Sequence, residues 1–424
     1  MLAKLFKEAL AHHAQGSLSS ALIAYKRVQK QFPDFANAWI NASVLLRDMG
    51  RHEEAMDMAL RAVELDPENN ITIRKTLTYF LYAAVKEGNP KEIFRVSDQL
   101  IKLTLPNSDN PDVYAGAIGK IKLLLGEFEP GWRLYGSRIR LQSYPGHRWI
   151  LEAAPLWDGK PFKGKTLLLH YEQGFGDTIM MLRYLKQVKS LGGTLLAFVQ
   201  QALVDIAGTC GGPDCLFGDS GGRHFDIQLP LMLLPAVLNT DIGTIPSPIP
   251  YIKVPERVPN RAQIDSRMAE AARPIRCGLV WAGKPSYLGD SERSIPPELL
   301  RPLEEAKGVS WFCLQREAPD TAPFPTATPL GGLLETFADT AYVLSKLDMV
   351  VTVDTAIAHL AGAMGVPVAL LVAFIPDWRW LLGRDDSPWY PSVKIYRQPE
   401  PNDWPTVIQQ VAASCSTPIR AVQL

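Results

Sequence analysis

The chain is poor in the features that would fix a functional class at a glance. Its 44 basic and 44 acidic residues cancel to a net charge of zero with histidine neutral, so bulk charge draws it neither to nucleic acid nor to an anionic membrane. No run of about 18 apolar residues occurs, which leaves no candidate for a membrane-spanning helix. The opening stretch, MLAKLFKEALAHHAQG, is charged throughout and lacks the apolar core and small-residue cleavage site of a secretion signal. Cysteine is scarce: Cys210, Cys215, Cys277, Cys313 and Cys415. Cys210 and Cys215 flank a Gly/Pro-rich turn, but no second pair completes a zinc site. The expectation is a cytoplasmic protein with reduced, mostly buried thiols. At 424 residues, 47% of them apolar, the chain is long enough for about two or three domains.

What is present first is a period. Gly16 and Gly50 stand 34 residues apart, as do Ala21 and Ala55, and Pro33 and Pro67. A 34-residue period in three position types is the tetratricopeptide-repeat pattern of paired helices. Glycine permits the turn inside a pair, alanine permits close approach, and proline closes the unit. Trp39 falls where the first helix of a repeat carries an aromatic. A degenerate unit surrounds Gly88, with Ile93 at the alanine position and Pro106 one residue late, and another begins at Gly126, with Gly131 and Tyr135. Residues 1–142 are therefore expected to be roughly eight helices in a short solenoid with a concave face for a protein partner. A spacer or dimerisation arm is the plainer alternative. Residues 143–163, rich in Pro, Gly and aromatics, read as a linker.

The pattern then changes to alternating strands and helices. Thr166–His170 is a buried strand that runs into Gln173-Gly174-Phe175-Gly176-Asp177, followed by a helix and a second strand at Thr194–Val199. This opens a Rossmann-like domain, assigned to 164–262. The turn lacks the third glycine of a dinucleotide fingerprint, so an NAD enzyme is a poor reading. A second such domain, 263–424, opens with a strand over Arg276–Trp281 and a turn at Ala282-Gly283-Lys284. Lys284 and Arg293 suit a phosphate as a compact charge and as a bidentate donor. A further strand, Ser310–Leu314, ends at Gln315-Arg316-Glu317.

The organising stretch is Met349–Leu371, MVVTVDTAIAHLAGAMGVPVALL: a buried strand, a tight turn, a helix of small residues and another strand. Loops at the carboxyl ends of parallel strands are where open α/β sheets bind ligands, and a helix start suits a phosphate. Asp354-Thr355-Ala356 with His359-Leu360-Ala361 resembles the D-T-G-x-x-H-L-A signature of heptosyltransferase-like enzymes, glycosyltransferase family 9. Ala356 replaces the glycine, which bears on how closely that turn hugs a diphosphate. With HYEQGFGD, GLVWAGKP, RSIP and the tail FIPDWRWLLGRDDSPWYPSVKIYRQ, nearly the whole chain resembles bacterial tetratricopeptide-containing glycosyltransferases with that catalytic region.

The resemblance implies a GT-B fold, two Rossmann-like domains facing a cleft, behind a helical array. It implies transfer of a sugar from a nucleotide-sugar donor to a hydroxyl, with Asp177 as base and no metal or other cofactor. The donor would meet Lys284, Arg293, Gln315, Asp354, Thr355, Ala356 and His359; Gln173, Gly174, Gly176 and Trp378 would line the cleft. Asp177 equally suits a helix cap, Lys284 and Arg293 suit solvated loops, and the tail tryptophans suit packing between domains. The Asp385-Asp386 pair is not read as the metal motif of the GT-A class. A protein acceptor held by the array, flagellin among the candidates, is the expected partner. Two rivals stay open: a non-catalytic scaffold on a degenerate transferase body, and a lipopolysaccharide glycosyltransferase.

Overall fold

A computed structural model describes residues 1–65, 81, 84–85, 87–104, 110–219, 222–271, 273–285, 290–316 and 322–415. Pro67, Pro106 and Glu317 lie outside these residues.

The chain divides into two compact units, 1–121 and 122–424. The first is helical. Helices α1 (Leu2–Ala14) and α2 (Leu18–Gln31) pack together, as do α3 (Ala36–Asp48) and α4 (His52–Leu65). Two more follow, α5 (Pro90–Thr104) and α6 (Pro111–Leu124). Gly16 and Gly50 sit between paired helices at φ of +72° and +73°, a left-handed turn that only glycine takes without strain. Gly88 and Gly126 share that conformation. Ala21 and Ala55 are fully buried beside Tyr25 and Met56, so their small size sets how closely the helices approach. Trp39 donates its indole N–H to the Pro33 carbonyl at 2.9 Å.

The second unit begins earlier than the expected boundary at 142. Helix α7 (Phe128–Tyr135) buries Phe128, Trp132 and Tyr135 in the core of this unit. Its rings meet Trp378 and Trp389, far along the chain, at centroid distances of 5.1 to 6.3 Å. The expected linker is also structural. A short helix, α8 (Arg148–Ala153), lays Ile150 on one face of the first sheet, and Leu156 pairs with Gln228 in a parallel bridge.

That sheet is all parallel, in the order β3-β2-β1-β4, with β1 (Thr166–His170), β2 (Thr194–Phe198), β3 (Cys215–Phe217) and β4 (Ile227–Pro230). Helix α9 (Phe175–Met181) follows β1. A helix at Arg261–Ala269, α10, leads to the second sheet. It too is parallel, ordered β10-β9-β8-β5-β6-β7: β5 (Ile275–Val280), β6 (Val309–Cys313), β7 (Thr328–Pro329), β8 (Met349–Val353), β9 (Val368–Val372) and β10 (Val393–Arg397).

Alternation sorts each central strand of this sheet between two cores. Met349, Val351 and Val353 of β8 join Cys277 and Leu279 of β5 on one face. Val350, with Val368 and Leu370 of β9, joins the other core, which continues into Leu167, Leu169 and Leu195 of the first sheet. Helices α11 (Phe337–Leu344) and α12 (Ala356–Ala363) precede and follow β8. Helix α13 (Trp404–Cys415) closes the far face with Trp404, Val407, Ile408 and Val411. Two parallel sheets with helices between them match the expected doubled α/β architecture. Among the described residues no helix is long and apolar enough to cross a membrane. All five cysteines are unpaired, and all but Cys215 are buried.

Candidate functional site

The chain order reverses between β5 and β8, where β5 has led outward to β6 and β7 before the chain returns. Such a switch point opens a crevice at the carboxyl ends of the strands. Lys284, Arg293, Gln315, Asp354, Thr355 and Ala356 all gather at that edge.

The turn after β5 is held by three side chains. Gln315 is buried, accepts from the Trp281 and Ala282 N–H groups at 3.3 and 3.1 Å, and donates to the Ala282 carbonyl at 3.1 Å. Its amide is engaged with backbone, so it serves first as a clamp between β5 and β6. Arg293 donates from Nε to Asp290 at 3.0 Å and from Nη1 to the Asp354 carbonyl at 2.7 Å, tying the β5 and β8 turns together. Gly283 admits it: a Cβ there would stand 2.2 Å from Arg293 Nη2. Lys284 is exposed.

Helix α12 starts at the end of β8 with Thr355 as its N-cap, the Thr355 hydroxyl 3.2 Å from that of Thr352. Its first N–H groups carry the positive end of the helix dipole. Burial, and then the charge of Asp377, push the Asp354 carboxyl up to about 6, against the pull of Arg379 and Arg293. His359 lies one turn on, 4% exposed, stacked on Trp380 at 5.3 Å with Nδ1 3.0 Å from the Tyr390 hydroxyl. Burial, and then Arg379, Arg183 and Arg293, hold it well below the usual imidazole range, so the ring is neutral. That favours the turn-holding role over an imidazolium paired with phosphate.

The first half meets this helix directly. Gly176 on α9 packs against the His359 ring: a Cβ would come within 2.6 Å of Cδ2. Asp177, one residue on, caps its own helix, its Oδ2 accepting from the Gly174 N–H at 2.9 Å. Its Oδ1 accepts from Arg379 Nη2, an ion pair between residues 202 apart in the chain. Gln173 donates to the Tyr135 hydroxyl at 2.8 Å, and its carbonyl accepts from Gln200 at 2.8 Å. Trp378 is not a cleft residue: it is 3% exposed, against Trp132, Tyr135 and Trp389. Asp386 is paired with Arg384 at 2.6 Å. Among the described residues, no group of three or more His, Cys, Asp and Glu side chains could hold a metal ion.

Three residues of this constellation were not singled out from the sequence as site residues: Arg379, Asp377 and Tyr135. For Asp377 and Arg379 the sequence signal is the crowding of Asp377-Trp378-Arg379-Trp380, an acid and a base inside an aromatic run; Tyr135 stood out only as a repeat position. The strand Val393–Arg397, folded into the tail reading, carries its own alternation in VKIYR.

Residues 330–413, which span α11, β8, α12, β9 and the Trp378–Trp380 turn, match the family model for glycosyltransferase family 9 (heptosyltransferase). This bears out the family resemblance read from the sequence. Residues 4–77 match the family model of a PAB middle domain. Protein FlbA of Caulobacter vibrioides is 25% identical over 430 aligned positions, covering 94% of this chain. The chain spans 64% of that relative's length. A family 9 glycosyl transferase from Veillonella parvula aligns with 57% of this chain and 88% of its own, at 12% identity and a TM-score of 0.41. ADP-heptose lps heptosyltransferase II from E. coli aligns with 59% of this chain and 98% of its own, at 12% identity and a TM-score of 0.40.

Proposed function

We propose that this chain transfers a sugar from a nucleotide-activated donor to a hydroxyl on a protein acceptor recruited by its N-terminal helices. The observation that carries the transfer chemistry is the start of α12. It lies at the carboxyl end of β8, at the strand-order switch, inside the span that matches the family 9 model. The donor diphosphate rests there, met by the helix N–H groups and by Lys284. Arg293 keeps the two turns in register and adds positive charge. As the acceptor oxygen bonds to the anomeric carbon, the bond to the diphosphate breaks and negative charge grows on the leaving group. Fixed dipoles and cations already aimed at that charge lower the barrier. Asp177 takes the acceptor proton, and no metal is needed where Lys284 and Arg293 stand in its place.

The protein acceptor, flagellin being one candidate, rests on the helical array alone: a transferase of small molecules has no use for it. A non-catalytic scaffold is the rival with a specific observation behind it, since both Asp177 oxygens are already engaged. Thermal shift with a panel of nucleoside diphosphates, together with transfer assays on Asp177→Asn, separates the two. The transferase reading expects stabilisation by one nucleotide, about 2.7 kcal/mol at 100 times its Kd. It also expects transfer in Asp177→Asn to fall by about 10²-fold or more, at unchanged nucleotide affinity. No stabilisation by any nucleotide, or full activity in the variant, refutes it.

A further inference from the structure

The seam between the two α/β halves holds an ion pair between Arg379 and Asp177. Arg379 is 7% exposed. Its Nη1 donates to Asp377 Oδ1 at 2.7 Å, its backbone N–H to the same oxygen at 3.1 Å, and its guanidinium carbon lies 4.2 Å from the centre of the Trp378 ring. Trp378 is fixed in turn by Trp132 and Tyr135 of α7. So the guanidinium is aimed by a carboxylate beneath it and an aromatic face beside it. What it is aimed at is Asp177 Oδ1, on the other half of the molecule.

Asp177 is thereby held at both oxygens, Oδ1 by Arg379 and Oδ2 by the Gly174 N–H. Two donors in fixed positions define the plane of a carboxylate, and with it the direction of its remaining lone pairs. A general base needs that definition, because proton transfer depends on reach and angle before anything else. The geometry of the Arg379 guanidinium serves Asp177.

We propose that Arg379 is the positioning residue for Asp177. It holds the carboxylate in a fixed orientation across the seam, so that the base is set before the acceptor arrives. The proposal rests on the transferase reading, in which Asp177 is the base. It predicts an effect on turnover, not on donor capture, because Arg379 acts through Asp177.

The test is steady-state transfer by the full-length protein, with nucleoside diphosphate affinity measured by calorimetry on the same preparations. Arg379→Met should lower kcat by about 10²-fold and leave nucleotide affinity unchanged. Arg379→Lys, which restores a cation without the planar fork, should recover part of kcat. In an Asp177→Asn background, Arg379→Met should cost nothing further. Wild-type kcat in Arg379→Met overturns the proposal. So does a parallel loss of nucleotide affinity, which would make Arg379 a donor ligand. If Arg379→Met fails to fold, Arg379→Lys decides: full kcat there means that charge alone suffices, and a fixed fork is not what sets the base. A wild-type protein that binds no nucleoside diphosphate overturns the transferase reading itself, and this inference with it.

Discussion

The two turns facing the switch point are built in opposite ways. The seam between α9 and α12 is closed: Gly176 lies on the His359 ring, His359 on Trp380, and Asp177 is locked to Arg379. The β5 turn is open, with Lys284 exposed beyond a clamp of Gln315, Arg293 and Asp290. One region is rigid enough to aim a carboxylate; the other leaves a cation free to meet a ligand. Changes in the seam should therefore disturb folding and turnover, whereas changes at the open turn should disturb affinity alone.

The largest expected effect tests what supports the seam. Helix α7 packs Phe128, Trp132 and Tyr135 behind the Trp378–Arg379 turn. A chain starting at Gln142 loses all three. Each large aromatic removed from a core costs about 3–5 kcal/mol, against a net stability of about 5–15 kcal/mol for a whole protein. That chain should not fold, as judged by a missing cooperative melt. A chain starting at Lys122 keeps them and should melt cooperatively. It should bind nucleotide but lose modification of a protein acceptor. Equal modification of the same protein without residues 1–121 would remove the array from acceptor recognition.

At the open turn, Lys284→Ala should leave the melt unchanged and weaken nucleoside diphosphate binding. A charge-assisted contact is worth about 1.5–3 kcal/mol, or roughly tenfold to a hundredfold in Kd by calorimetry. An unchanged Kd would move the donor away from β5. Gly176→Ala makes the converse test within the seam. Its methyl meets a His359 ring that cannot swing aside, pinned by Trp380 and Tyr390. Overpacking of this kind costs about 1–3 kcal/mol, to be read by denaturant unfolding. A neutral result would mean that the two helices separate easily and the seam is no fixed frame.

This contrast also marks what the sequence could disclose. Buried strands such as Met349–Val353 announce themselves by composition, and the strand-end turns follow from them. The repeat glycines announce themselves by period, since a left-handed turn needs glycine each time. The boundary at 121 does not. Helix α7 continues the repeat pattern through Gly126, Gly131 and Tyr135, yet its aromatic face is covered by residues some 250 positions later, at Trp378 and Trp389. Arg379 was hidden for the same reason: its partner Asp177 is 202 residues away, and pairing across that distance leaves no mark in local spacing. Trp378 and His359 illustrate the reverse, residues whose types suit a ligand but whose surroundings bury them.

The smallest effect concerns Asp354, which stands between the two regions. Its carboxyl titrates at about 6, raised from 3.8 chiefly by burial and then by the neighbouring Asp377 charge. Because the folded value lies above the unfolded one, the fold favours the protonated acid. That advantage is whole below about 3.8 and is lost as pH climbs through about 6; above that, no further change is due to this group. Asparagine has no such titration and keeps a similar shape. Wild type and Asp354→Asn should therefore melt alike near pH 4, with the variant gaining on the wild type up to about pH 7 and holding its lead beyond. A melting difference that runs the other way with pH would mean that Arg379 and Arg293 outweigh burial, so that ionised Asp354 belongs to the rigid seam as a third carboxylate satisfied by those two cations.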